Sequence, residues 1–195
     1  MTTRFWWVRH GPTHAKGFVG WKDTPADLSD TAALQRLEAY LPADAAVVSS
    51  DLQRAVATAD AIAGNRRRLP HDPQLREMDF GDWDGLPMTE VERISPVESR
   101  KFWSEPGDIA PPNGESWNAL SGRVAAAVNG IISEHGPGDI IAVAHFAVIL
   151  SSIQRASGMT PKAVFSFRID NLSVTRLDFI HDARSWRVGG VNHLP

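Results

Sequence analysis

The stretch Trp6–Gly17, WWVRHGPTHAKG, joins a block of bulky apolar residues to an arginine, a histidine and a glycine. Together with Phe5, the block is too short for a helix and suits a strand buried on both faces. Burial ends where polarity changes, at Arg9. The change recurs downstream, where Asp139–Ala144 (DIIAVA) runs into His145 and Phe146. Two buried strands that each end in histidine put His10 and His145 at equivalent carboxyl ends of a sheet. Open α/β sheets carry their active sites along that edge.

Around these anchors the pattern alternates. Ser29–Leu41 has helical periodicity behind an N-cap serine, and Ala45–Val48 reads as a second strand. Asp51–Ala63 follows as a helix capped by serine or aspartate, with Leu52, Val56, Ala59 and Ile62 on one face. Strand followed by helix, repeated, predicts an α/β domain with a largely parallel sheet. Residues 70–115 loosen into a proline-rich excursion with short helices at Thr89–Ile94 and Val97–Trp103. A long helix is expected over Ser116–Glu134 and another over Val148–Ser157. Strands are expected at Phe165–Ile169, Ser173–Phe179 and Trp186–Val191, the last two as antiparallel neighbours at an edge.

A chain of 195 residues suits one domain, here 1–195 with the excursion beside it. A net charge of −3 argues against a dedicated nucleic-acid binder, which would show a basic face. The chain has no cysteine, which excludes disulfides, cysteine zinc sites and a thiol nucleophile and fits a reducing cytoplasm. No apolar run approaches the roughly 20 residues of a membrane span, and Phe5–Val8 is too short for a signal-peptide core. These readings predict a cytoplasmic protein with no membrane partner. A late edge strand is free to pair with another chain, so oligomeric state is left open.

Several residues can do chemistry. Arg54, in Ser50–Ala59 (SDLQRAVATA), lies on the first turn of a helix that follows a strand, so it faces the same sheet edge as Arg9. Two guanidinium forks suit the oxygens of a phosphoryl group, and amides of helices after Gly11 and Ser50 would add donors. Leu75–Gly85 (LREMDFGDWDG) gathers Glu77, Asp79, Asp82 and Asp84. A calcium loop fails there, because Phe80 and Val91 fall at the first and twelfth ligand positions. His10 and His14 share i, i+4 spacing, but Pro12 and the lack of a third ligand argue against a metal, and none is expected. The P-loop, dinucleotide, zincin and nucleophile-elbow motifs are absent.

In order along the chain, these blocks resemble the histidine phosphatase superfamily, also called phosphoglycerate-mutase-like. The resemblance takes in RHG at Arg9–Gly11, the SDLQRAVATA and LREMDFGDWDG segments, and the later histidine-ended strand. It extends to DTPADLSDTAALQ (Asp23–Gln35, with Ala32 for a family glycine), PPNGES (Pro111–Ser116) and DNLSVTRL (Asp170–Leu177). It implies a three-layer α/β/α sandwich with a mostly parallel sheet and an antiparallel edge strand, the 70–115 excursion lying over the active site. It implies that His10 is a nucleophile that becomes phosphorylated, that Arg9, Arg54 and His145 form the phosphate pocket, and that Glu77 is the proton donor. Thr13 matches a threonine near that pocket. Trp21 and Trp83 flank motif residues and are candidate substrate contacts, as is Phe146. Phe146 stands where the family usually has glycine, Leu150 where it often has arginine, and Gly17 where asparagine is common.

The activity implied is that of a metal-independent phosphomonoesterase acting on a small organic phosphate without a cofactor. Two alternatives stay open. A phosphoglycerate mutase would return the phosphoryl group, but such mutases are longer and carry a basic, proline-rich insertion. A catalytically weak phospholigand binder would keep the pocket without turnover.

Overall fold

A computed structural model describes all residues 1–195. Its core is a five-stranded sheet of β1 (Thr2–Arg9), β2 (Ala46–Ser49), β3 (Gly138–Ala144), β4 (Val174–Ile180) and β5 (Ser185–His193), in the order β2-β3-β1-β4-β5. β1 and β2 both pair parallel to β3, whereas β4 is antiparallel to β1 and to β5. The one reversed strand, β4, therefore lies inside the sheet, and β5 forms the edge. β4 and β5 are the antiparallel neighbours expected at an edge, whereas the expected mostly parallel sheet is mixed in its pairing, with two parallel and two antiparallel ladders.

Period-2 alternation splits the strands between two layers. Phe5 and Trp7, Ala46 and Val48, and Ile140, Ala142 and Ala144 enter one core with α5 (Trp117–His135) and α6 (Phe146–Ser157). Val8, Val47, Ile141 and Val143 enter the other with α1 (Thr31–Tyr40) and α2 (Gln53–Ala63). Both faces are covered, giving the three-layer α/β/α sandwich. At about 1.5–3 kcal/mol per buried large side chain, these two layers dominate stabilisation.

The excursion carries short 3-10 turns at Pro73–Leu75 and Gly81–Trp83, then α3 (Met88–Ile94) and α4 (Pro96–Ser104). It docks on the loop after β1 through Phe18, whose ring lies 5.6 Å from Trp103 and 5.0 Å from Phe80. Three local readings change. α1 is capped by Asp30 rather than Ser29. α2 begins after Leu52 with no side-chain cap, although Ser50 Oγ accepts from Leu52 N at 3.3 Å. Phe165–Ile169 is not a strand. The Thr160 hydroxyl caps a short α7 (Pro161–Val164), and Phe165 then packs on Trp117 at 4.7 Å, while β4 takes the free edge of β1.

Candidate active site

Register builds the site. Arg9 pairs with Ala144 at the end of the β1–β3 ladder, so the next residues, His10 and His145, leave the sheet side by side. Their rings lie 5.0 Å apart between centroids. The main chain of His10 is pinned: its N–H donates to Ala144 O at 3.0 Å, and its carbonyl accepts from Asn171 Nδ2 at 2.7 Å. Gly11 N donates to Thr58 Oγ1 at 2.9 Å, tying the turn to α2. A Cβ on Gly11 would sit 2.6 Å from Leu28 Cδ2 and 3.2 Å from Asp27 O, so a larger residue would push the Leu28 side chain aside. No helix follows Gly11, contrary to the expected amide donors there; the chain runs as loop to α1.

The His10 imidazole is buried, and its Nδ1 lies 2.6 Å from Gly11 O. A carbonyl only accepts, so Nδ1 carries the proton and Nε2 the lone pair. Arg54 Nε donates to that Nε2 at 3.3 Å. Burial first, then Arg54, pushes His10 down to about 3. The ring is therefore a neutral base with its lone pair aimed into the site.

Arg54 is fully buried, fixed by the carbonyls of Gly20 at 2.7 Å, Lys22 at 3.0 Å and Val19 at 3.4 Å. Arg9 donates Nη1 to Ile169 O at 2.6 Å and lies 5.4 Å from the Phe146 ring centroid. Its Nε is buried with no protein partner, and neither ring nitrogen of the fully buried His145 has one. Buried donors without partners are costly. Arg9, Arg54 and His10 all lie within electrostatic reach of His145, and the two guanidinium groups make the surroundings cationic and suited to an anion. Burial, reinforced by His10 and Arg54, holds His145 well below the usual histidine range, while burial lowers Arg9 and Arg54.

Glu77 completes the cluster. It is buried, and its Oε1 accepts from Met78 N at 2.9 Å and from Ala147 N, in the first turn of α6, at 3.1 Å. Those bonds and both arginines favour the charged form, but burial outweighs them and raises its pKa. The carboxyl is thus biased toward holding a proton, as a general acid requires. Two amides at the helix starts are taken: Ala147 by Glu77 at 3.1 Å, and Gln53 by Asp23 Oδ1 at 2.7 Å. Those two are not available to a bound anion.

The sequence candidates Arg9, His10, Arg54, Glu77 and His145 meet here, and Phe146 backs Arg9. Trp21 stands beside them at 40% exposure, its Nε1 donating to Glu77 O at 2.8 Å and its ring 5.0 Å from the Arg76 guanidinium. Trp83 does not reach the site. It is wholly buried and edge-on to Phe102 at 5.5 Å, so its bulk serves the core. Thr13 is half-buried on the loop three residues past His10. At Gly17 a Cβ would fall 2.6 Å from Leu86 O and 2.7 Å from Gly85 O, which accounts for glycine there by contact with the excursion. The residues sequence reasoning missed are braces such as Thr58, Asn171 and Arg123; Thr58 and Asn171 lie in the SDLQRAVATA and DNLSVTRL segments, whereas Arg123 lies in none of the quoted segments.

The model of the histidine phosphatase superfamily (branch 1) matches residues 5–192. The chain belongs to this superfamily. The adenosylcobalamin/alpha-ribazole phosphatase of Escherichia coli K12 is 30% identical over 95% of this chain and 94% of its own. Phosphoglycerate mutase-like protein 4 of Arabidopsis thaliana is 33% identical over 96% of this chain and 85% of its own. A solved mycobacterial glucosyl-3-phosphoglycerate phosphatase in complex with VO3 superposes with a TM-score of 0.80 at 27% identity, covering 97% of this chain and 98% of that one. This member of the superfamily is a phosphomonoesterase of the histidine phosphatase type. No helix is long and apolar enough to cross a membrane.

The two lowered imidazoles make stability pH-dependent. Unfolded, each binds a proton near its ordinary pKa of about 6.5. Folded, His10 binds one only near 3 and His145 only well below 6.5. Below pH 6.5 the unfolded chain therefore holds more protons, and stability falls with pH by up to about 1.4 kcal/mol per unit per imidazole. Glu77, raised by burial, acts in the opposite sense, one group against two. Urea midpoints in phosphate-free buffer are expected to drop from pH 6.5 to 5, less steeply in His10→Asn. A midpoint rising over that interval would contradict the buried, neutral pair.

Proposed function

We propose that the protein is a metal-independent phosphatase of small organic phosphates that works through phosphohistidine at His10. The observation that carries this reading is the His10 Nε2 lone pair, faced by Arg54 Nε at 3.3 Å, with the unpartnered ring of His145 5.0 Å away between centroids. Arg9, Arg54 and His145 hold the non-bridging oxygens of the monoester. Phosphoryl transfer needs positioning and charge stabilisation above all, and these side chains supply both. His10 Nε2 attacks phosphorus in line, the P–O bond to the alcohol breaks, and the Glu77 carboxyl gives its proton to the departing oxygen. A water then attacks phosphorus, Glu77 takes its proton back, and the P–N bond breaks to release inorganic phosphate and restore the lone pair.

The phosphatases among the relatives support hydrolysis over phosphoryl return, as does the short excursion. The intact set of His10, Arg9, Arg54, Glu77 and His145 supports turnover rather than mere binding, and the Phe146 ring lies 5.4 Å from the Arg9 guanidinium. The test is a panel of phosphate monoesters that includes α-ribazole 5′-phosphate, glucosyl-3-phosphoglycerate and 3-phosphoglycerate, with and without EDTA. Free phosphate is expected from at least one member, unaffected by EDTA. Accumulation of 2-phosphoglycerate, binding without turnover across the panel, or loss of activity in EDTA would each overturn the reading.

A further inference from the structure

Glu77 sits on irregular backbone, yet an acid that serves twice has to be held to within fractions of an ångström. The hold comes from Arg123, on the second turn of the 19-residue α5. Its Nη1 donates to Gln74 O at 2.7 Å and Arg76 O at 2.8 Å, and its Nη2 donates to Glu77 O at 2.8 Å. Its Nη2 and Nε grip both carboxylate oxygens of Glu115, which in turn accepts from Asp79 N at 2.9 Å. All of the donors of the guanidinium are thereby spent, most of them on the segment that carries Glu77. Trp21 Nε1 donates to the same Glu77 carbonyl at 2.8 Å. The Arg123 and Glu115 side chains are only 14% and 15% exposed, so the pair is shielded from solvent.

We propose that Arg123, braced by Glu115 and joined by Trp21 at the Glu77 carbonyl, is the positioning residue of Glu77: it fixes the main chain of residues 74–79 so that the carboxyl meets the leaving-group oxygen. Trp21 then acts through the acid rather than as a substrate platform. A lysine cannot reproduce the fork, because one ammonium cannot reach three carbonyls and a carboxylate in that geometry. The inference rests on the phosphohistidine reading above.

A structural brace and an acid-positioning brace differ in their dependence on the leaving group. p-Nitrophenolate departs without protonation, whereas an alkoxide does not. In Arg123→Lys and Glu115→Gln, kcat/KM is expected to fall about 30- to 100-fold on glycerol 2-phosphate and less than about 5-fold on p-nitrophenyl phosphate, a partial loss reaching up to the lower limit of what general acid catalysis supplies. On p-nitrophenyl phosphate, kcat and KM should fall together as phosphoenzyme accumulates, because Glu77 also serves the hydrolytic step. Equal losses on both substrates, or none on either, would overturn the proposal. Glu115→Gln keeps the shape of the brace and covers the case in which Arg123→Lys folds poorly. A His10→Ala control separates the two levels: if it still turns over p-nitrophenyl phosphate, the underlying reading has failed. If it is inactive and the losses in the brace variants are equal, only the present inference has.

Discussion

His10→Ala is expected to lower kcat on p-nitrophenyl phosphate by about 10⁴-fold or more, the scale on which removal of a nucleophile acts. The physical reason lies in three contacts. Gly11 O takes the Nδ1 proton, Arg54 Nε points at Nε2, and burial keeps the ring uncharged. The neighbouring His145 ring, 5.0 Å away between centroids, has neither nitrogen fixed by a protein partner, so nothing there sets a tautomer or aims a lone pair as Gly11 and Arg54 do for His10. The variant should fold, since His10 is held in place chiefly through its main chain, by Ala144 and Asn171. A loss of less than about tenfold in a folded His10→Ala protein would remove the nucleophile assignment.

Glu77→Gln carries the second large effect. The substitution keeps an oxygen to accept from Met78 N and Ala147 N, so shape and packing survive while the transferable proton is lost. With an alkyl monoester, kcat/KM should fall about 10²- to 10⁴-fold. With p-nitrophenyl phosphate the first step is spared, and phosphoenzyme builds up because the attacking water lacks its base. The pH profile gives an independent check. Burial raises the Glu77 pKa against the pull of Arg54 and Arg9, and the acid must be protonated to act. The wild-type rate on an alkyl ester should therefore decline on the alkaline side of that pKa, and this limb should vanish in Glu77→Gln. An unchanged limb would assign the proton donor to another group.

The adjacency of His10 and His145 was legible in the sequence because strand period and burial are local properties. Two apolar runs ending in histidine need only parallel register to meet, and Arg9 opposite Ala144 supplies it. Glu77 was not separable by pattern from the acids around it; the resemblance alone singled it out. The structure shows why they differ. Asp79 braces Gly81 N, Asp82 accepts from the Asn113 amide, and Asp84 holds Gly20 N and Lys22 N, whereas Glu77 is buried at the start of α6. Trp83 was misplaced because its nearness to motif residues says nothing of direction, and the side chain turns into the core. The misread strand at Phe165–Ile169 shows the same limit: apolar alternation looked like a sheet, but Pro161 and the Thr160 cap had already started a helix. Arg123 left no local signal at all. Its partners lie up to 49 residues away, and only the folded chain brings them to one guanidinium.

The central claim is a covalent bond between phosphorus and His10 Nε2. It is tested most directly by mixing the enzyme with a ³²P-labelled monoester, quenching in base within milliseconds and mapping the labelled peptide. The account predicts a label that survives alkali, is lost in acid, maps to His10 and is absent from His10→Ala. An acid-stable label, a label on His145, or turnover without any trapped phosphoenzyme in Glu77→Gln would contradict it.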